Sequence, residues 1–154
     1  MYIGGGTGIA DGIILKGKMI DFNARDDVKR SWELKIPSGE TIESCLSPKG
    51  MIDEWNLSQR EKVKTLDQLS KNQNADTIFE KATEAFSFLI QNRTQFFKAN
   101  HAKIEKIVIG QRLGIFMANS KLISLLESNT DIPLDYSTDR RTAALGAAWK
   151  RICS

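Results

Sequence analysis

The stretch that decides the fold is Gly4-Gly5-Gly6-Thr7-Gly8-Ile9-Ala10-Asp11-Gly12. Glycines without a Cβ let successive backbone N–H groups converge on an anion, and the Thr7 hydroxyl adds a donor. A plain β-hairpin turn is built from the same residue types, so the stretch alone admits both uses. Its flanks are strand-like. Met1-Tyr2-Ile3 precedes it, and Gly12-Ile13-Ile14-Leu15 follows. Lys16-Gly17-Lys18 then reads as a tight turn into Met19-Ile20-Asp21-Phe22.

Working outward, residues 23–50 carry Pro37, Gly39, Pro48 and Gly50, which predicts loops with one short strand at Ser31–Ile36. Met51 to Gln73 has helical composition. The clearest helix spans Asp76 to Lys98, where Ile78, Ala82, Ala85, Phe86, Leu89, Ile90 and Phe97 recur with a period near 3.6. Asp76 is expected to cap its start. Ile104–Ile109 reads as a strand ending at Gly110, and Ala118–Ser128 as a helix. Ile132-Pro133-Leu134 reads as an edge strand, and Thr138–Ile152 as a closing helix. Strands and helices in this order predict an α/β domain, a mixed sheet with helices packed on its faces. Glycine-rich turns end two of the strands, which is where open α/β sheets bind ligands. There is no internal repeat.

The length, 154 residues, suits one domain with a real core. The hydrophobic fraction of 41% and charged fraction of 27% are those of a globular protein. A net charge of +3, with the basic residues dispersed, gives no nucleic-acid footprint. No apolar run approaches the roughly 20 residues of a membrane span, and the first residues lack the pattern of a signal peptide. A cytoplasmic protein with no membrane partner is expected. Cys45, Cys153 and the single His101 fall short of a structural zinc set, so no metal ligands are assigned and the thiols are read as reduced.

Four segments, in order, resemble the ROK and glucokinase-type sugar kinases of the actin-like ATPase superfamily, whose domains have an RNase H-like fold. The glycine stretch with Ile13-Ile14-Leu15-Lys16-Gly17-Lys18 is similar to their second phosphate motif, which makes Gly5, Gly6, Thr7 and Gly8 phosphate-binding candidates. Ala10-Asp11 departs from the usual small residues, and Asp11 is considered as an indirect Mg²⁺ contact. Glu43-Ser44-Cys45-Leu46-Ser47-Pro48-Lys49-Gly50-Met51 resembles the segment whose glutamate accepts sugar hydroxyls, so Glu43 is a sugar-binding candidate. Glu33, in Trp32-Glu33-Leu34, is the counterpart of a second sugar-contacting glutamate, although no histidine follows it.

Ile107-Val108-Ile109-Gly110-Gln111-Arg112-Leu113-Gly114 looks like the adenosine motif, which makes Gly110, Gln111, Arg112 and Leu113 adenosine-binding candidates. Gln111 stands where a second glycine is usual, and its bulk is expected to narrow the adenine slot. Thr142–Ala148 resembles the closing helix of the family.

The resemblance implies ATP and Mg²⁺ as cofactors and a sugar as substrate. It also implies that residues 1–154 form one domain, the C-terminal half of a two-domain fold. In such kinases the general base and the first phosphate loop precede the second phosphate motif, which here begins at residue 4. The chain is therefore expected to transfer phosphate only with an N-terminal half, through docking to it, and self-association is a further expected contact. The alternative is a regulatory or sugar-sensing module that keeps the fold without turnover. No helix-turn-helix is evident for a repressor.

Overall fold

A computed structural model describes residues 1–120 and 122–139. The closing helix expected at Thr138–Ile152, with its Thr142–Ala148 motif and Cys153, lies outside these residues apart from its first two positions.

Strands β1 (Tyr2–Gly5) and β2 (Ile9–Gly12) form an antiparallel hairpin, with Gly5 opposite Ile9. A two-residue turn at Lys16 (φ 50°) and Gly17 (φ 79°) joins β3 (Ile14–Leu15) to β4 (Lys18–Met19). Two consecutive positive φ values match the right-handed twist of the flanking strands, as the sequence predicts. β4 is shorter than expected, because Phe22 falls in a 3-10 turn capped by the Asp21 carboxylate. β5 (Ile107–Gly110) lies parallel beside β1, and β6 (Leu134–Tyr136) lies parallel beside β5, giving the order β2-β1-β5-β6. The sheet is mixed, with β6 an edge strand as its Pro133 neighbour suggests.

Helix α1 (Ile42–Leu46) runs into α2 (Pro48–Ser58), followed by α3 (Leu66–Ser70) and the long α4 (Asp76–Ala99). Ala82, Phe86 and Leu89 of α4 are fully buried, on the predicted period. Together with Ile3, Ile107 and Ile109 from the sheet, each also fully buried, they belong to one core. Asp76 is not the cap. The cap position is Ala75, which offers no side-chain acceptor, and Asp76 places its charge in the first turn instead. The far end stops at His101, which takes the left-handed conformation (φ 53°) while Ala102 N–H donates to Phe97 O at 2.9 Å. The single histidine is thus a helix-terminating residue.

Three further expectations differ. Residues 23–50, expected to be loops with one short strand, hold α1 and the start of α2. Ser31–Ile36 is not a strand but a 3-10 turn at Ser31–Glu33 with one isolated bridge, Lys35 to Thr41. Local hydrogen bonds win there: Glu33 accepts from Arg30 N–H, and Ser31 N–H donates to the Asp11 carboxylate. After β5 the chain enters α5 (Gln111–Met117) at once, and α6 (Leu122–Glu127) follows, in place of one helix from Ala118. Gly114, inside α5, is glycine because a Cβ there would stand 2.5 Å from Ile109 O. No helix among the described residues is long and apolar enough to cross a membrane.

Candidate functional site

The turn between β1 and β2 is closed by Gly6 N–H donating to Gly8 O at 2.9 Å. Thr7 is exposed at its tip. The N–H groups of Thr7 and Gly8 donate to nothing among the described residues. Two backbone N–H groups and a hydroxyl of this one turn are therefore unengaged by the described residues. Gly5 has another task. It is buried, and a Cβ there would come within 2.7 Å of Leu113 and 3.2 Å of Pro48. Its lack of a side chain lets α2 and α5 close on the hairpin.

Glu43 lies beside this turn. Its Oε2 accepts from Ile9 N–H at 3.2 Å, and a methyl group on Gly8 would collide with the same carboxylate. The placement comes from a sharp corner. Thr41 caps α1 by accepting from Ser44 N–H. Ser47 ends α1 and caps α2 by accepting from Gly50 N–H at 2.9 Å, with Pro48 at the first helical position. Buried Cys45 sits inside this corner, and burial pushes its thiol above the usual range, which makes it unreactive.

Glu43 and Thr7 share a cleft of about 830 Å³ with Glu40, Asp53, Glu54 and Leu57. Among the described residues, every carboxylate here except Glu43 has a cation. Lys81 binds Glu40 at 2.5 Å and Glu54 at 2.8 Å, and Lys49 pairs with Asp53. Burial opposes the Lys81 charge, but its hydrogen bonds to Glu40 and then Glu54 outweigh it and hold the ammonium above its ordinary pKa. Glu33 is not part of this cleft. It lines a separate cavity with Arg25 and Arg30, and its pKa is lowered first by the Arg30 backbone N–H it accepts.

On the other side of the turn, Gly6 and Thr7 line a second cleft of about 820 Å³ with Lys49, Lys64, Arg112 and Phe116. Neither Lys64 nor Arg112 has an ion-pair partner among the described residues. Of the adenosine candidates, Arg112 alone lines this cleft. Leu113 is fully buried beneath Gly5. Gly110 sits where a Cβ would strike the Tyr2 ring and hydroxyl, so its smallness serves Tyr2. Gln111 is not itself a lining residue; its carboxamide lies along the hairpin against Gly4, with Oε1 nearest Gly6, which does line the cleft. Lys64 carries no local sequence signal. It is presented by a loop pinned to α2, where Asn56 exchanges two hydrogen bonds with Val63 and Trp55 Nε1–H donates to Glu61 O.

The second cleft can take a polyanion, because its polar lining of Thr7, Lys49, Lys64, Thr65, Asp67, Arg112 and Asn119 holds three cations to one carboxylate. Asp67 is the one carboxylate lining it, so a Mg²⁺ ion here would depend mainly on the phosphates themselves. Asp11 does not serve the ion. It is sealed, with side-chain exposure of 1%, in a bidentate pair with Arg93.

No protein-family model matches the sequence, and no curated protein matches it. Solved structures do. A ROK hexokinase from Thermus thermophilus superposes with a TM-score of 0.68 at 15% identity, covering 98% of this chain and 57% of that one. A ROK family protein from Streptococcus pneumoniae, solved in complex with sucrose, gives a TM-score of 0.71 at 11% identity, with the same coverage. The chain spans a little over half the length of these structures, and within that span it has the actin-like ATPase fold of the ROK sugar kinases.

Proposed function

We propose that this chain is the nucleotide-binding, C-terminal half of an ATP-dependent sugar kinase, moving a phosphoryl group to a sugar hydroxyl together with a second domain. The observation that carries the proposal is that Thr7 lines both clefts, with Glu43 in one and Lys64 and Arg112 in the other. A phosphoryl group leaving the cationic cleft for a hydroxyl held by Glu43 would pass the Gly6–Gly8 turn. Phosphoryl transfer needs positioning and charge stabilisation more than covalent help. The Thr7 and Gly8 N–H groups, the Thr7 hydroxyl and the two cations supply donors of that kind. Glu43, a carboxylate without a cation among the described residues, suits two sugar hydroxyls. The sucrose complex of one structural neighbour supports a carbohydrate in this fold.

The other carboxylates of the sugar-side cleft are held by Lys81 and Lys49, which leaves them poor bases for the hydroxyl. The base is then supplied by the second domain. Leu57, 88% exposed at the rim of the cleft, offers that domain an apolar contact. The same observation favours one other function, a sugar-sensing module without turnover.

Calorimetric titration with Mg·ATP, with and without a hexose, tests the proposal. Both ligands are expected to bind, and Glu43→Gln is expected to weaken the hexose at least about tenfold while sparing Mg·ATP. Unchanged hexose affinity in that variant removes Glu43 from the site. Hexose phosphorylation by the chain alone would show that no second domain is needed.

A further inference from the structure

Three non-glycine residues among those described have positive φ: Lys16, His101 and Gln111. The first two lie exposed in a turn and at a helix end. Gln111, the first residue of α5 directly after β5, is half-buried with φ 60°. A glycine would hold that backbone without strain, whereas a side chain is strained there. Nothing in the backbone calls for glutamine, so what distinguishes the position is the side chain.

That side chain lies along the glycine hairpin. Its Cδ and Nε2 are 3.1 and 3.2 Å from where a Cβ on Gly4 would stand, and its Oε1 is 3.6 Å from the same point on Gly6. The carboxamide makes no hydrogen bond among the described residues. Packed over the same glycine is the Tyr2 ring, whose hydroxyl is buried and also without a partner. An unbonded carboxamide exchanges its O and N positions by a simple flip, so either a donor or an acceptor can be turned toward Gly6.

We infer that Gln111 is a ligand-contacting residue whose Nε2–H donates to the phosphate oxygen of the donor nearest Gly6. This rests on the nucleotide site proposed above. A hydrogen bond to a charged oxygen would engage a polar group that the protein leaves unengaged, and it would offset the backbone strain.

The test is titration of the full chain with Mg·ATP, Mg·tripolyphosphate and adenosine. Gln111→Met, similar in shape but without donors, is expected to bind both phosphate ligands about tenfold more weakly and adenosine unchanged. Gln111→Glu is expected to bind them more weakly still. Gln111→Gly is expected to match the loss while melting no lower than the wild type, which separates the contact from a packing role. If the Met variant binds like the wild type, or the Gly variant binds more tightly, Gln111 is a spacer and the inference falls. If the wild type binds neither phosphate ligand, the nucleotide site itself falls, and Gln111 with it.

Discussion

Arg93 heads the largest side chains sealed from solvent, and its charge is fully met. It holds Asp11 through two contacts of 2.5 and 3.1 Å, donates to Lys29 O at 2.7 Å, and lies over the Phe22 ring at 5.5 Å. Asp11 also accepts from Ser31 N–H at 3.2 Å. A buried pair with all its bonds made roughly repays its desolvation, but a lone buried charge does not. Asp11→Ala is therefore expected to lower the unfolding free energy by roughly 3–5 kcal/mol, read by urea denaturation. The double variant Asp11→Leu/Arg93→Met should recover most of that loss. A loss below about 1 kcal/mol in the single variant would mean the pair is solvated. Read from sequence, Asp11 belongs to a glycine motif and suggests a metal contact. Its partner is 82 residues away, and no local pattern links the two.

At the scale of elements, the corner between α1 and α2 sets the site, because it brings Glu43 to the hairpin. Gly50 makes that corner possible. A Cβ there would overlap Ser44 O and stand 2.7 Å from Ser44 C and 2.8 Å from Glu43 O, all backbone atoms that cannot rotate away. Alanine is the better helix former by about 1 kcal/mol, but overpacking costs about 1–3 kcal/mol. Gly50→Ala should thus melt lower than the wild type, with weakened hexose binding as the corner opens; a higher melting point would show that the corner has room. Helix α4 and strand β5 were legible in advance from their apolar patterns, and the first strand and glycine turn from composition, although β2 (Ile9–Gly12) lies inside the stretch that read as turn. The corner was not: residues 23–50 read as loops because of Pro37, Gly39, Pro48 and Gly50, yet Pro48 opens α2 and Gly50 lies inside it. What else was not legible depended on distant partners. Ser31–Ile36 has strand-like residues but is captured by Asp11 and by its own Arg30–Glu33 bonds. The helix after Gly110 was hidden because Gly110–Gly114 read as a ligand-binding turn, whereas Gly114 is glycine to clear the Ile109 and Ser137 backbone.

At the scale of the whole molecule, Lys81 of α4 ties the long helix to α2 through Glu54 and to the segment before α1 through Glu40. The Lys81 hydrogen bond holds the Glu40 carboxyl below its usual range. A depressed carboxylate contributes stability above its unfolded pKa and loses it as pH falls through the folded one. Glu40 is 42% exposed, so screening limits the pair to no more than about 1 kcal/mol. The stability gap between wild type and Lys81→Met, measured by denaturation from neutral pH to pH 3, should shrink toward zero at the acid end. A gap that persists there would assign the Lys81 effect to its apolar stem. The two clefts meet at Thr7, so under the proposed function the molecule would have a second kind of connection, between ligands. If both ligands order the Gly6–Gly8 turn, the one that binds first bears that ordering for the other, and by linkage each must strengthen the other by the same factor. Hexose should raise Mg·ATP affinity and Mg·ATP should raise hexose affinity equally, within about 5–150-fold. Thr7→Gly, which loosens the shared turn and removes its hydroxyl, should weaken both ligands. Equal affinities with and without the companion ligand would mean that the turn is already rigid and that the clefts act independently.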